Sequence, residues 1–105
     1  MTMLMLRVQI KRESLQAFED ARNKLLLVLS QVNPTGVRYT WCDLPDGTTF
    51  IGLLELAEGV ENPLPGIEGG KEFQTHLQDW IAAPPVREEW KIVAVYPYGQ
   101  ETSAT

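Results

Sequence analysis

Leu4, Leu6, Val8 and Ile10 share one parity, and Met5, Arg7 and Gln9 share the other. A period of two is the mark of a strand with one apolar face. At Ser14 the period changes. Leu15, Phe18, Ala21, Leu25, Leu29 and Val32 recur at helical spacing, behind a hydroxyl suited to an N-cap. A chain that switches period this early must lay its helix back over the apolar face of its own strand. That requirement restricts the remaining elements to a layer of helix on sheet.

The rest of the chain follows the same logic. Asn33-Pro34-Thr35-Gly36 ends the helix, because Pro34 disfavours the α region in the residue before it. Val37 to Cys42 is rich in β-formers and reads as a second strand. Leu44-Pro45-Asp46-Gly47 is a turn, with Pro45 presetting φ and Gly47 accepting φ > 0. Thr48 to Leu56 reads as a third strand that closes a hairpin. Gly52 within it marks a bulge or a close approach by another group. Ala57 to Gly70 is a glycine- and proline-rich loop, long for a compact domain. Lys71 to Ala82 places Phe73, Leu77, Trp80 and Ile81 on one helical face before Pro84-Pro85 stops it. Trp90, Ile92, Ala94 and Tyr96 alternate with Lys91, Val93 and Val95 in a fourth strand.

The order βαββαβ predicts an α+β, ferredoxin-like domain over residues 1–96. Its four-stranded antiparallel sheet carries two helices on one face, and residues 97–105 form a polar tail. The other sheet face keeps apolar residues such as Met5. In a chain of 105 residues such a face is best covered by a second copy. Trp90, at the start of the fourth strand, suits such an interface better than catalysis.

Charge and composition then exclude partners. Nine basic residues stand against 14 acidic ones, a net charge of −5, which speaks against nucleic acid and against anionic membrane surfaces. One cysteine and one histidine exclude a disulfide framework and a cysteine-rich zinc site, so no metal is expected. The apolar run near the amino terminus is too short to span a bilayer and lacks a cleavage signal, so a cytoplasmic location is expected. No phosphate loop or dinucleotide fingerprint is present among Gly66, Gly69 and Gly70.

Gly36-Val37-Arg38-Tyr39, the hairpin, and Phe73-Gln74-Thr75-His76-Leu77 resemble the antibiotic-biosynthesis-monooxygenase-like domains of the dimeric α/β-barrel superfamily. The resemblance spans Leu4 to Tyr96. It implies a homodimeric barrel and a pocket between helices and sheet. Its members include cofactor-independent oxygenases of aromatic polyketides and haem-degrading enzymes. Two departures change the rim of that pocket: Leu56 stands where members often carry a tryptophan, and the Ala57 to Gly70 loop is longer than the family's usual link.

Within this frame His76 is the candidate base, because imidazole titrates near neutrality and sits at helical spacing beside Phe73 and Trp80. The plainer reading is a histidine on the helix flank that packs its ring. Tyr39, Trp41, Trp80 and Phe73 are candidate walls for a flat aromatic ligand, or simply core. Arg7 and Arg38 point off strands and suit a carboxylate or an oxyanion, or a solvated strand edge. In the fullest assignment His76 abstracts a proton, Tyr39 and Arg7 orient the substrate, and Trp80, Phe73, Trp41 and Arg38 bind it. Cys42 reads as a small apolar residue, and Glu88-Glu89 as a charged strand edge. The expected function is a cofactor-independent monooxygenase-like protein acting on a small apolar or aromatic, polyketide-like molecule. The alternative is a non-catalytic ligand-binding or assembly domain on the same fold.

The resemblance also separates the chain from the haem degraders, which use an asparagine on strand one beside the strand-three tryptophan. Leu4 to Ile10 contains no asparagine. Titration with haemin should give only weak binding, and a reductant should produce no turnover. Conversion of bound haem to an open-chain tetrapyrrole is the contrary result.

Overall fold

The computed structural model describes residues 1–96. The polar tail expected at 97–105 lies outside the described residues. Strand β1 (Thr2–Gln9) leads through a 3₁₀ turn (Arg12–Ser14) into helix α1 (Leu15–Val32). Strands β2 (Val37–Asp43) and β3 (Thr49–Leu56) form the hairpin. A second 3₁₀ turn (Leu64–Gly66) precedes helix α2 (Gly70–Trp80), and strand β4 (Val86–Lys91) follows. The sheet is antiparallel throughout, in the order β2-β3-β1-β4, so the fold is the ferredoxin-like βαββαβ arrangement. Among the described residues no helix is long and apolar enough to cross a membrane.

Register assigns every strand residue to a face, because directly paired residues point the same way. One row across the inner face is Tyr39, Leu54, Leu4 and Glu89, and the next is Trp41, Gly52, Leu6 and Arg87. On the outer face Met5 joins Leu53, Thr40 and Glu88, while Met3 joins Glu55, Arg38 and Trp90. The helices cover the inner face. Phe18 of α1 is fully buried and touches the rings of Phe50, Trp41 and Phe73 at centroid distances of 4.8, 5.6 and 6.1 Å. One aromatic cluster thus joins α1, α2, β2 and β3. At about 25 cal/mol per Å², buried rings of this size rank among the largest contributors to such a core.

Helix ends differ in detail from the sequence reading. Ser14 sits at the N-cap of α1, but its hydroxyl makes no capping bond; its N–H donates to Lys11 O in the preceding 3₁₀ turn. Asn33 ends α1 in the left-handed conformation at φ 50°, which asparagine tolerates better than most residues, and its N–H donates to Leu29 O. Helix α2 stops at Trp80 rather than at Ala82. Ile81 forms a bridge with Ile10, and Ala82 N donates to Gln9 O at 2.7 Å. The helix end is spliced onto the end of β1.

Strand β4 is the main correction. It covers Val86–Lys91, and residues 92–96 lie beyond it. The ladder reaches the pair Thr2–Lys91, and Ile92 N then donates to Met1 O at 3.0 Å. Pairing with Met3 turns Trp90 to the outer face, the face for which the sequence suggested an interface. There its indole Nε1 donates to Glu88 Oε1 at 2.7 Å.

The hairpin turn is held by Asp46. Its carboxylate accepts from Thr48 N at 3.0 Å, Thr49 N at 2.9 Å and the Thr49 hydroxyl at 2.6 Å. These bonds, led by the Thr49 hydroxyl, hold its pKa below the usual 3.8. The folded value is the lower one. The stabilisation is therefore fully present above pH 3.8 and lost as pH falls through the folded value. Urea midpoints of the wild type and Asp46→Asn should differ at pH 6 and converge in this acid window. A constant gap down to pH 2 would contradict the role given to the carboxylate.

Candidate functional site

A cavity of about 340 Å³ lies on the inner sheet face, at the lower end of the range typical of small-molecule pockets. Leu4, Leu6, Leu54 and Gly52 form its floor. Tyr39 of β2 bounds one side, and Arg87 and Glu89 of β4 the other. Leu64 and Asn62, from the 57–69 loop, and Gln74 of α2 roof it. The alternation of β4 puts Arg87 and Glu89 on this face and turns Val86, Glu88 and Trp90 away. Arg87 Nη2 donates to Gln74 Oε1 at 2.9 Å, tying the strand to the helix.

Tyr39 is the perturbed group of the site. Burial of its phenol raises the pKa from 10 to about 12, and the nearby Trp41 N–H and Arg87 guanidinium offset this only in part. At neutral pH it is a hydrogen-bond donor and not a base. The Trp41 ring packs edge-on against Tyr39 at 5.9 Å. Its indole N–H is buried, and no acceptor meets it in hydrogen-bond geometry. It would favour the Tyr39 phenolate but is not aligned to bond it.

The predicted site residues do not converge. Tyr39 lines the cavity, and Trp41 stands beside it over Gly52. Phe73 is buried in the aromatic cluster, 6.1 Å from Trp41. Arg7 and Arg38 lie on the outer face, paired with Ile51 and Glu55, so the sheet itself separates them from the cavity. His76 is not beside Tyr39 either. Its side chain is 53 % exposed, stacks on Trp80 at 5.9 Å, and places Nε2 3.9 Å from Glu72 Oε1. It borders a separate groove between α1 and α2, with Lys24, Leu25 and Glu68. The flank of α2 that carries His76 meets α1, while the flank that carries Gln74 meets the cavity.

Sequence reasoning missed Arg87, Glu89, Gln74 and Asn62. The parity of β4 is the signal that finds the first two, once Trp90 is assigned to the outer face. Nothing in the local pattern marks Gln74 or Asn62. Among the described residues no group of three or more His, Cys, Asp or Glu side chains is placed to hold a metal ion.

No family model and no curated protein matches the chain. Solved structures do. An antibiotic biosynthesis monooxygenase superposes with a TM-score of 0.72 at 12% identity, over 90% of this chain and 100% of that one. SnoaB, a cofactor-independent oxygenase from Streptomyces nogalater, gives 0.70 at 11% identity, over 91% and 96%. A conserved protein from Methanosarcina mazei Go1 gives 0.73 at 16% identity, over 86% and 90%. At these identities the likeness is one of fold. The chain carries an antibiotic-biosynthesis-monooxygenase-like fold along nearly its whole length.

The phenol pKa has a measurable consequence. Because the folded value is raised, the stability it confers is present below pH 10 and lost as pH climbs towards 12. An ultraviolet titration of phenolate absorbance should show one tyrosine ionising near 12. Stability should fall across that window in the wild type more steeply than in Tyr39→Phe. A tyrosine set titrating wholly near 10 would deny the burial.

Proposed function

We propose that the inner cavity binds a small aromatic molecule with an acidic hydroxyl and oxygenates it with dioxygen, without a cofactor. The observation that carries this reading is the cavity itself. It has an apolar floor and a phenol kept protonated at its side, on a fold shared with a cofactor-independent oxygenase. Glu89 stands on the same face as the cavity floor and takes the proton from the substrate hydroxyl, the role first assigned to His76. The resulting oxyanion accepts a hydrogen bond from the Tyr39 hydroxyl, and the Arg87 charge favours the anion. The electron-rich ring passes an electron to dioxygen, recombination forms a carbon–peroxide bond, and Glu89 returns its proton to the terminal oxygen to give the hydroperoxide. Loss of the proton on that carbon breaks the O–O bond and leaves a carbonyl and water. One oxygen atom enters the product and one leaves as water, with both hydrogens supplied by the substrate.

A second reading has its own support: His76, the one imidazole, lies outside the cavity. On that reading the same pocket binds its ligand without chemistry. A panel of naphthols led by 1-naphthol separates the two. The enzyme reading expects dioxygen uptake equal to quinone formed. Glu89→Gln and Tyr39→Phe should each slow it, by roughly 10² or more for the base. Saturable binding without dioxygen uptake, across the panel, would leave the binding-module reading.

The partner we propose is a second copy of the chain, seated on the outer sheet face. Met3, Ile51 and Leu53 form its apolar centre, and Val86 and Trp90 extend it at 46% and 43% exposure. Arg7, Arg38, Glu55 and Glu88 surround them, giving both signs of charge for a self-complementary contact. Stable obligate dimers bury on the order of 2,000 Å² or more. Sedimentation at micromolar concentration should show twice the chain mass, and a Trp90→Glu, Leu53→Lys double variant should sediment as a monomer. A wild-type monomer at that concentration would rule this partner out.

A further inference from the structure

A second chamber of about 240 Å³ adjoins the inner cavity beneath the loop that leads into α2. Asn62, Leu64, Gln74 and Arg87 line both spaces, so the hydrogen-bonded Arg87–Gln74 pair stands at their boundary. The two chambers differ in chemistry. The inner one has an apolar floor and includes Glu89 among its linings. The outer one is completed by Pro65, Gly70 and Lys71, and its only charged linings are Lys71 and Arg87. Two cations without a carboxylate are conspicuous in a chain that carries 14 acidic residues against nine basic ones.

The amides make the same point. Asn62 Oδ1 accepts from Leu64 N at 3.0 Å, and Gln74 Oε1 accepts from Arg87. With both carbonyl oxygens committed, each amide has its NH₂ group left to offer. Every charged or amide side chain of the outer chamber is therefore a donor. Arg87 uses one terminal nitrogen on Gln74 and keeps the rest of its fork, which suits the two oxygens of a carboxylate.

We propose that the natural ligand is amphiphilic, with an aromatic body in the inner cavity and an anionic oxo group in the outer chamber between Lys71 and Arg87. Lys71 and Gln74 are then specificity residues, outside the reacting centre. The carboxylate is the group that best matches one guanidinium fork and one ammonium. A phosphate monoester shares the chemistry and is distinguished by experiment. The inference rests on the inner cavity being the ligand site, as read above.

The test compares 3-phenylpropionate, 3-phenylpropionamide, 3-phenylpropylamine and 2-phenylethyl phosphate by calorimetric titration of the full chain. The carboxylate should bind at least tenfold more tightly than the amide, the amine should bind least, and added salt should shrink the carboxylate's advantage. Lys71 is solvent-exposed, so Lys71→Ala and Lys71→Glu should fold normally. Each should lower the carboxylate-to-amide ratio by fivefold or more while leaving the amide's affinity unchanged. A phosphate that outbinds the carboxylate would keep the chamber and reassign its natural anion. Equal affinities for carboxylate and amide would overturn the anion chamber and leave the inner cavity standing. If no compound binds, the inner-cavity reading fails together with this one.

Discussion

Trp41 lies across Gly52, and much of the molecule depends on that contact. The two residues are paired in the β2–β3 ladder, and the indole covers the Cα of its own partner. A Cβ at position 52 would sit 2.8 Å from the Trp41 ring, closer than carbon atoms tolerate. Glycine is therefore required by the tryptophan and not by the backbone, whose register runs through position 52 without a bulge. Held flat in this way, Trp41 presents ring edges to Phe18 and Phe73 and so fixes where both helices settle. The same missing side chain leaves floor space in the cavity, which Gly52 lines. Core packing and ligand space thus share one cause.

A second constraint comes from β1, the central strand that pairs with both β3 and β4. Six residues of β4 pair, all of them exposed, and the apolar Ile92–Tyr96 stretch continues without a ladder. The strand that carries Arg87 and Glu89 is thus an edge strand with few contacts of its own. Its tether to the rest of the domain, besides the β1 ladder, is the bond from Arg87 to Gln74. The residue that supplies charge to the site also anchors the edge on which it stands.

The fold was legible because period is a property of neighbours in sequence. The switch from two to helical spacing at Ser14 locates the start of α1, and it places β1 to within two residues of what is observed. The Leu44–Gly47 turn places the hairpin equally well. The site was less legible because it depends on which flank of a helix meets which neighbour. Taking Phe73 as the centre of the α2 stripe and about 100° per residue, His76 and Gln74 fall on opposite flanks. The sequence marks the histidine by its chemistry. Only the position of α1 reveals that His76 faces another helix while Gln74 faces the sheet. Arg7 and Arg38 lie on the face away from the helices, and the alternation of their strands puts them there.

The long 57–69 loop shows how a feature that reads as irregular in sequence becomes structural. Leu64 is buried at its centre and roofs the cavity, although the surrounding chain has little regular structure. It stays there because α2 begins hard against it. A Cβ on Gly70 would collide with the Leu64 carbonyl, so only glycine lets the first turn of the helix come this close. Asn62 fixes the other side by accepting from Leu64 N. The loop therefore sets Leu64 over the inner cavity and supplies Asn62 and Pro65 to the adjoining space. The loop and the first turns of α2 shape both spaces together, through Asn62, Leu64 and Pro65 on one side and Lys71 and Gln74 on the other.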